Sequence, residues 1–130
     1  MPSGAVDSME QIVARELGAE GIARMVAGFY RRVKTDDLIG PLYPDDDWEG
    51  AEQRLREFLQ FRFLGDESYI ANRGHPRLRM RHFPFVIKEA HRNRWIELME
   101  AAMDETNITG EARAVISPFF AQVAEAMRNH

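Results

Sequence analysis

Cysteine is missing from all 130 residues. That excludes disulfides, thiolate zinc sites, iron–sulfur clusters and a cysteine nucleophile. Lysine is nearly missing too, occurring only at positions 34 and 88, so arginine carries the positive charge. No apolar run reaches the roughly 20 residues of a membrane span, and Met1–Glu10 lacks the apolar centre of a secretory signal. A soluble cytoplasmic protein without a membrane partner is therefore expected. A net charge of −4 gives no general attraction for nucleic acid. There is no glycine-rich phosphate loop and no His-Glu-x-x-His, and no stretch alternates with strand period. Asp45-Asp46-Asp47 lacks the spaced ligands and closing glutamate of a calcium loop, so it is read as a solvated turn.

What remains is ordinary globular composition, 45% hydrophobic and 29% charged, at a length that suits one core. Residues 1–8 read as a flexible leader and 9–130 as a single domain. The periodicity predicts only helices, hence an all-α fold. The first spans about Ser8 to Leu17, with Met9, Ile12 and Val13 inward. In the second, Ile22, Met25, Val26, Phe29, Tyr30 and Val33 make an amphipathic stripe. Thr35-Asp36-Asp37 begins a short helical turn through Leu38 and Ile39, cut off by Gly40-Pro41. The next helix runs from about Trp48 to Phe63, with Asp47 as N-cap and Ala51, Leu55, Phe58, Leu59 and Arg62 on one face. Short helical turns are expected in Glu67–Phe85. A long helix follows from about Ile87 to Glu105, with His91, Trp95, Leu98, Met99 and Ala102 as its stripe. The last covers about Thr109 to Met127, with Val115, Phe119, Phe120, Val123 and Met127 inward and Pro118 bending it or weakening a turn.

The stretch from His75 to Phe85 stands apart. It holds two of the four histidines, and Arg73, Arg77, Arg79 and Arg81 crowd into and around it. Arginine is suited to forked recognition of carboxylates or phosphates. His82 lies between Arg81 and Phe83, with Pro84 stopping any helix there. Taken alone, the stretch reads more readily as a basic surface turn around a structural histidine than as a ligand site.

Read together, Phe29-Tyr30, Tyr43-Pro44, Ala51-Glu52-Gln53-Arg54-Leu55, Gly74–His82 and Arg94-Trp95 change that balance. From about Met9 onward the chain resembles the group II truncated haemoglobins, two-over-two helical sandwiches around a haem. The family usually has paired glycines at two corners where Leu17-Gly18 and Leu64-Gly65 stand here. The resemblance implies haem b as cofactor and His82 as its iron ligand. It implies Tyr30, Tyr43 and Trp95 as distal hydrogen-bond donors, with Ala51 as a small distal gate and Leu55 one turn along the same helix. Phe58, Leu59, Met80, Phe85 and Met99 would supply apolar walls beside Trp95. Arg81, Arg77, His75 and Arg54 compete as partners of the haem propionates.

The function so implied is binding of oxygen, carbon monoxide, nitric oxide or peroxide. Tyrosine O–H and indole N–H groups donate to a ligand that carries negative charge, each bond contributing roughly 1.5–3 kcal/mol. Such a pocket favours slow oxygen release and redox chemistry, either nitric oxide oxidation or peroxide-dependent oxidation, with a separate electron donor. A reversible oxygen carrier or sensor and a haem-free helical interaction module stay open as alternatives, as do monomer and homodimer.

Overall fold

The computed structural model describes residues 7–66 and 85–130, and among these the regular elements are helices. Helix α1 is Met9–Glu16, opened by a reciprocal cap: Ser8 Oγ accepts from the Gln11 N–H at 3.1 Å, and Gln11 Oε1 accepts from the Ser8 N–H at 2.7 Å. Ile12 and Val13 are buried, but Met9, expected beside them, is exposed. Helical side chains lean towards the N-terminus, so the first residue leans off the end of its helix.

The corner into α2 (Gly18–Val33) is made by one glycine, Gly18, at φ +64°. A single left-handed residue turns the chain, and Leu17 keeps ordinary right-handed geometry before it. All six residues of the expected stripe on α2 are buried, from Val33 at 0% to Tyr30 at 5% exposure.

After α2 the chain departs from expectation. Thr35-Asp36-Asp37 does not begin a helix. The Asp36 carboxylate accepts from the N–H groups of Leu38 and Ile39, at 3.1 and 2.9 Å, and folds the segment into a turn. The short helix is a 3₁₀ turn over Gly40–Leu42, on the residues expected to end it. Proline has no N–H to lose at a helix start and its φ is already set, so Pro41 opens this turn. Gly40 is required by contact: a Cβ there would lie 2.8 Å from the Val33 carbonyl oxygen.

Helix α3 (Trp48–Leu64) closes on Gly65 at φ +71°, again one glycine where the family usually has two. Asp47 stands at the N-cap position but does not cap. Its backbone, φ −136° and ψ 36°, is off the extended geometry that aims a capping side chain, and its carboxylate pairs with Arg54 at 3.0 Å. The expected turns of Glu67–Pro84 lie outside the described residues.

Helix α4 is Glu89–Glu105, two residues shorter at its start than expected. Ile87 is buried ahead of the helix instead. It donates to Asn129 Oδ1 at 2.8 Å, and its carbonyl accepts from the N–H groups of Asn129 and His130. His91 Nδ1 then takes the Lys88 N–H at 2.9 Å. Helix α5 is Gly110–Met127 and continues through Pro118. Its buried line is Ala112, Ile116, Phe120 and Ala124; of the expected inward set only Phe120 is fully buried, and Val115 and Phe119 pack on the flank. The buried line is thus turned by about one residue from the expected one: Ile116 takes the place of Val115, and the alanines at its two ends are ones that a search for large apolar residues passes over.

Helix α2 lies against α3 and α4, α4 lies against α5, and α1 bridges α3, α5 and the start of α2. The result is two helix pairs, α2/α3 and α4/α5, around one core. Arginine–carboxylate pairs tie the rims: Arg31 and Arg32 to Glu105, Arg62 to Glu10, and Arg113 to Glu100. No helix among the described residues is long and apolar enough to cross a membrane.

Candidate functional site

An unbroken line of rings crosses the interior. Phe120 of α5 meets Trp95 of α4 at 5.4 Å between centroids, and Trp95 meets Phe29 of α2 at 5.0 Å. Phe29 touches Tyr30 at 5.0 Å, Tyr30 touches Tyr43 at 5.6 Å, and Tyr43 touches Trp48 at 5.5 Å. Most are edge-to-face contacts, the arrangement that the ring quadrupole favours by about 0.5–1.5 kcal/mol per pair. Each ring comes from a different constraint: Tyr30 from the α2 stripe, Tyr43 from the end of the 3₁₀ turn, Trp95 from the second turn of α4.

Four of these rings have polar tips, and three of the tips, on Trp95, Tyr30 and Tyr43, lie close together. The Trp95 indole and the Tyr30 hydroxyl are near enough to the Tyr43 hydroxyl to influence its ionisation. Burial pushes the Tyr30 phenol well above the ordinary value of 10.0, and the Tyr43 phenol beside it adds to the shift. Burial also raises Tyr43, opposed by Tyr30, Trp95 and the positive charge of Arg54. Tyr43 keeps some accessible surface as a residue, yet its phenol end is enclosed. Both tyrosines are therefore neutral donors at physiological pH.

The other expected site residues fall into three groups. Ala51 is buried at 3% exposure on the first turn of α3. Leu55 and Phe58 keep part of their surface, whereas Leu59 and Met99 are sealed into the core. Phe85 is exposed at 41%, and its carbonyl accepts from Asn129 Nδ2 at 2.6 Å. Arg54 is held by Asp47. His82, His75, Arg77, Met80 and Arg81 lie outside the described residues.

One pair escaped the sequence-based reading. Arg94, beside Trp95, reaches Asp36 at 2.5 Å. The Asp36 side chain is only 8% exposed. Burial alone would raise its carboxyl, but hydrogen bonds from the Ile39 N–H, Arg94 and the Leu38 N–H outweigh that and hold it below the ordinary 3.8. The signal available in sequence was an aspartate two residues before Leu38, in the position of an Asx-type turn rather than a helix start.

A family model for bacterial-like globins matches residues 16–129. The chain belongs to the bacterial-like globin family. A group 2 truncated haemoglobin of Bacillus subtilis is 36% identical over 97 residues, covering 75% of this chain and 73% of that protein. Among solved structures, a truncated oxygen-avid haemoglobin from Bacillus subtilis superposes with a TM-score of 0.84 at 32% identity, over 89% of this chain and 98% of that one. A haemoglobin from the thermophilic phototroph Chloroflexus aurantiacus gives 0.85 at 39% identity, over 91% and 98%. The two helix pairs are thus the two-over-two fold of a truncated haemoglobin, and haem is the cofactor of that family. The lining described above fits such a group: three neutral polar tips among apolar rings, and no fully buried charge among the described residues.

Proposed function

We propose that this globin binds haem through His82 and holds oxygen and other diatomic ligands against a distal wall built by Tyr30, Tyr43 and Trp95. What carries the reading is the convergence of three neutral donors on one point of an otherwise apolar interior. Haem supplies reversible binding of diatomic ligands and redox chemistry; the chain supplies orientation and electrostatics.

Tyr43 stands between the other two groups, and each of the three has one hydrogen to offer a ligand. The Trp95 indole N–H donates without being able to take a proton. Leu55 and Phe58 retain surface to meet the cofactor, with Leu59 and Met99 as backing behind them. Ala51 leaves the distal entrance small-sided. Arg81, Arg77 and His75, and less directly Arg54, remain the choices for the propionates.

Donors of this kind oppose oxygen release and favour charge build-up on the ligand, which suits nitric oxide oxidation or peroxide-dependent oxidation, fed by a separate electron donor, over oxygen transport. A relative described as oxygen-avid agrees with slow release.

Trp95→Phe keeps most of the ring and removes its N–H. Oxygen dissociation from the ferrous protein, followed by stopped flow, is expected to speed up about tenfold or more, equivalent to roughly 1.4 kcal/mol. Carbon monoxide release, which involves less negative charge, is expected to change less. Unaltered oxygen release would make Trp95 core filler and return the protein to simple carriage.

A further inference from the structure

We infer that Asn129 is a positioning residue for the haem ligand, clasping Phe85–Ile87 and so fixing the downstream end of the segment that carries His82. The inference rests on the reading of His82 as the iron ligand. Phe85 follows His82 by three residues, so no more than about 11 Å of chain separates them. An anchor on Phe85 therefore limits where the imidazole can stand and how it can turn. Asparagine suits the task because its amide carries an acceptor and donors side by side. Asn129 uses both on one stretch of chain: Oδ1 accepts from the Ile87 N–H at 2.8 Å, and Nδ2 donates to the Phe85 carbonyl at 2.6 Å. Its backbone N–H donates to the Ile87 carbonyl at 2.9 Å, and the His130 N–H joins it there at 3.2 Å.

Packing does little to hold this stretch. Phe85 and Val86 are 41% and 49% exposed, and only Ile87 is buried. Among the described residues, its hydrogen bonds all come from Asn129 and His130. Asn129 can act as an anchor because it is itself anchored, two residues beyond the end of α5. The Arg128 N–H bonds the Glu125 carbonyl at 3.2 Å. The Glu125 carboxylate pairs with Arg128 at 3.4 Å and with Arg92 of α4. One end of the clasp thus sits on the α4/α5 pair, and the other sits three residues from the ligand. The Arg92–Glu125 pair joins the same two helices without bonding to Phe85–Ile87, so it separates general loosening from loss of the clasp.

The test uses the haem-loaded ferrous protein and reads the iron–imidazole stretching band by resonance Raman, a local property of the bound ring. In His82→Gly the band should vanish and return with added imidazole, which assigns it to His82. Asn129→Ala removes both side-chain bonds and is expected to shift or broaden the band. Asn129→Asp keeps an acceptor for the Ile87 N–H but loses the donor to Phe85, so its band should move as well. Hydrogen exchange of the Ile87 amide, measured on the carbon monoxide-bound form, separates the two bonds. It should quicken about tenfold or more in Asn129→Ala and stay within about threefold of wild type in Asn129→Asp. Arg92→Gln should leave the band in place. The proposal is overturned if the band is unmoved in either Asn129 variant, if Arg92→Gln shifts it equally, or if Ile87 exchange fails to follow this pattern. Should the wild-type band survive in His82→Gly, the iron has another ligand, and the functional reading falls together with this one. An unmoved band in Asn129→Ala, with His82 assigned, overturns this inference alone.

Discussion

Asp36 and Asp47 bracket the same connection between α2 and α3, both just ahead of a helical turn, and they do different work. Asp36 is 8% exposed at the side chain and serves two backbone N–H groups and Arg94. Asp47 is 45% exposed, leaves the N–H groups of α3 uncapped and holds only the partly exposed Arg54. Burial makes the difference. A carboxylate taken out of water must find donors, and once it has them it cannot let go without leaving them unsatisfied. At the surface, water replaces a lost partner at almost no cost.

Removing each aspartate should expose that inequality. Asp36→Ala leaves two N–H groups and a guanidinium without their acceptor, and a loss of about 2 kcal/mol in urea unfolding is expected. If Asp36→Ala were as mild as a surface change, the connection would have to be held by its ring contacts instead.

The tyrosines provide the next contrast. The folded pKa of Tyr30 lies above its unfolded value, so its contribution is complete below pH 10 and is lost as pH rises from there towards the folded value. The fall in stability should approach ~1.4 kcal/mol per pH unit for that one group and vanish in Tyr30→Phe. Spectrophotometric titration at 295 nm should show Tyr43 ionising earlier in Asp36→Ala, as water enters, and unchanged in Asp47→Ala.

Acid probes Asp36 in the opposite sense. Asp36 is held below the ordinary 3.8, so what it adds is present above that value and disappears only as pH falls through the folded value. The acid-unfolding midpoint should therefore rise in Asp36→Asn, since the protection is gone before the titration starts.

The smallest effects belong to the Asp47 end. Asp47→Ala should cost less than about 0.5 kcal/mol. Gly50→Ala sharpens the point: the nearest atoms to an added Cβ are those of the Asp47 carboxylate, as close as 2.1 Å, at the end of a side chain that can turn away if its Arg54 pair yields. Alanine in the first turn of α3 should then stabilise by up to ~1 kcal/mol, and a loss in urea unfolding would show that the Asp47–Arg54 pair matters more than its exposure implies.

Helices and their order were legible because period and chain breakers are local properties. The α2 stripe and the stops at Gly18 and Gly65 depend on neighbours within a few residues, whereas the expected cap at Asp47 did not form. So was the family, since Tyr30, Tyr43 and Trp95 belong to the motifs that carry the resemblance, and the family model matches residues 16–129. The inward face of α5 was misread because apolar side chains stand on two neighbouring lines of the helix, and which line turns inward depends on partners far away in sequence. The turn at Asp36 was misread for the same reason. Its sequence is compatible with a helix start, and only Arg94, 58 residues later, with the close approach of Gly40 to Val33, makes the turn the lower-energy choice. Local pattern determined which residues this protein has to work with. Tertiary contact decided which of two similar aspartates is buried, and so which one must keep its partners.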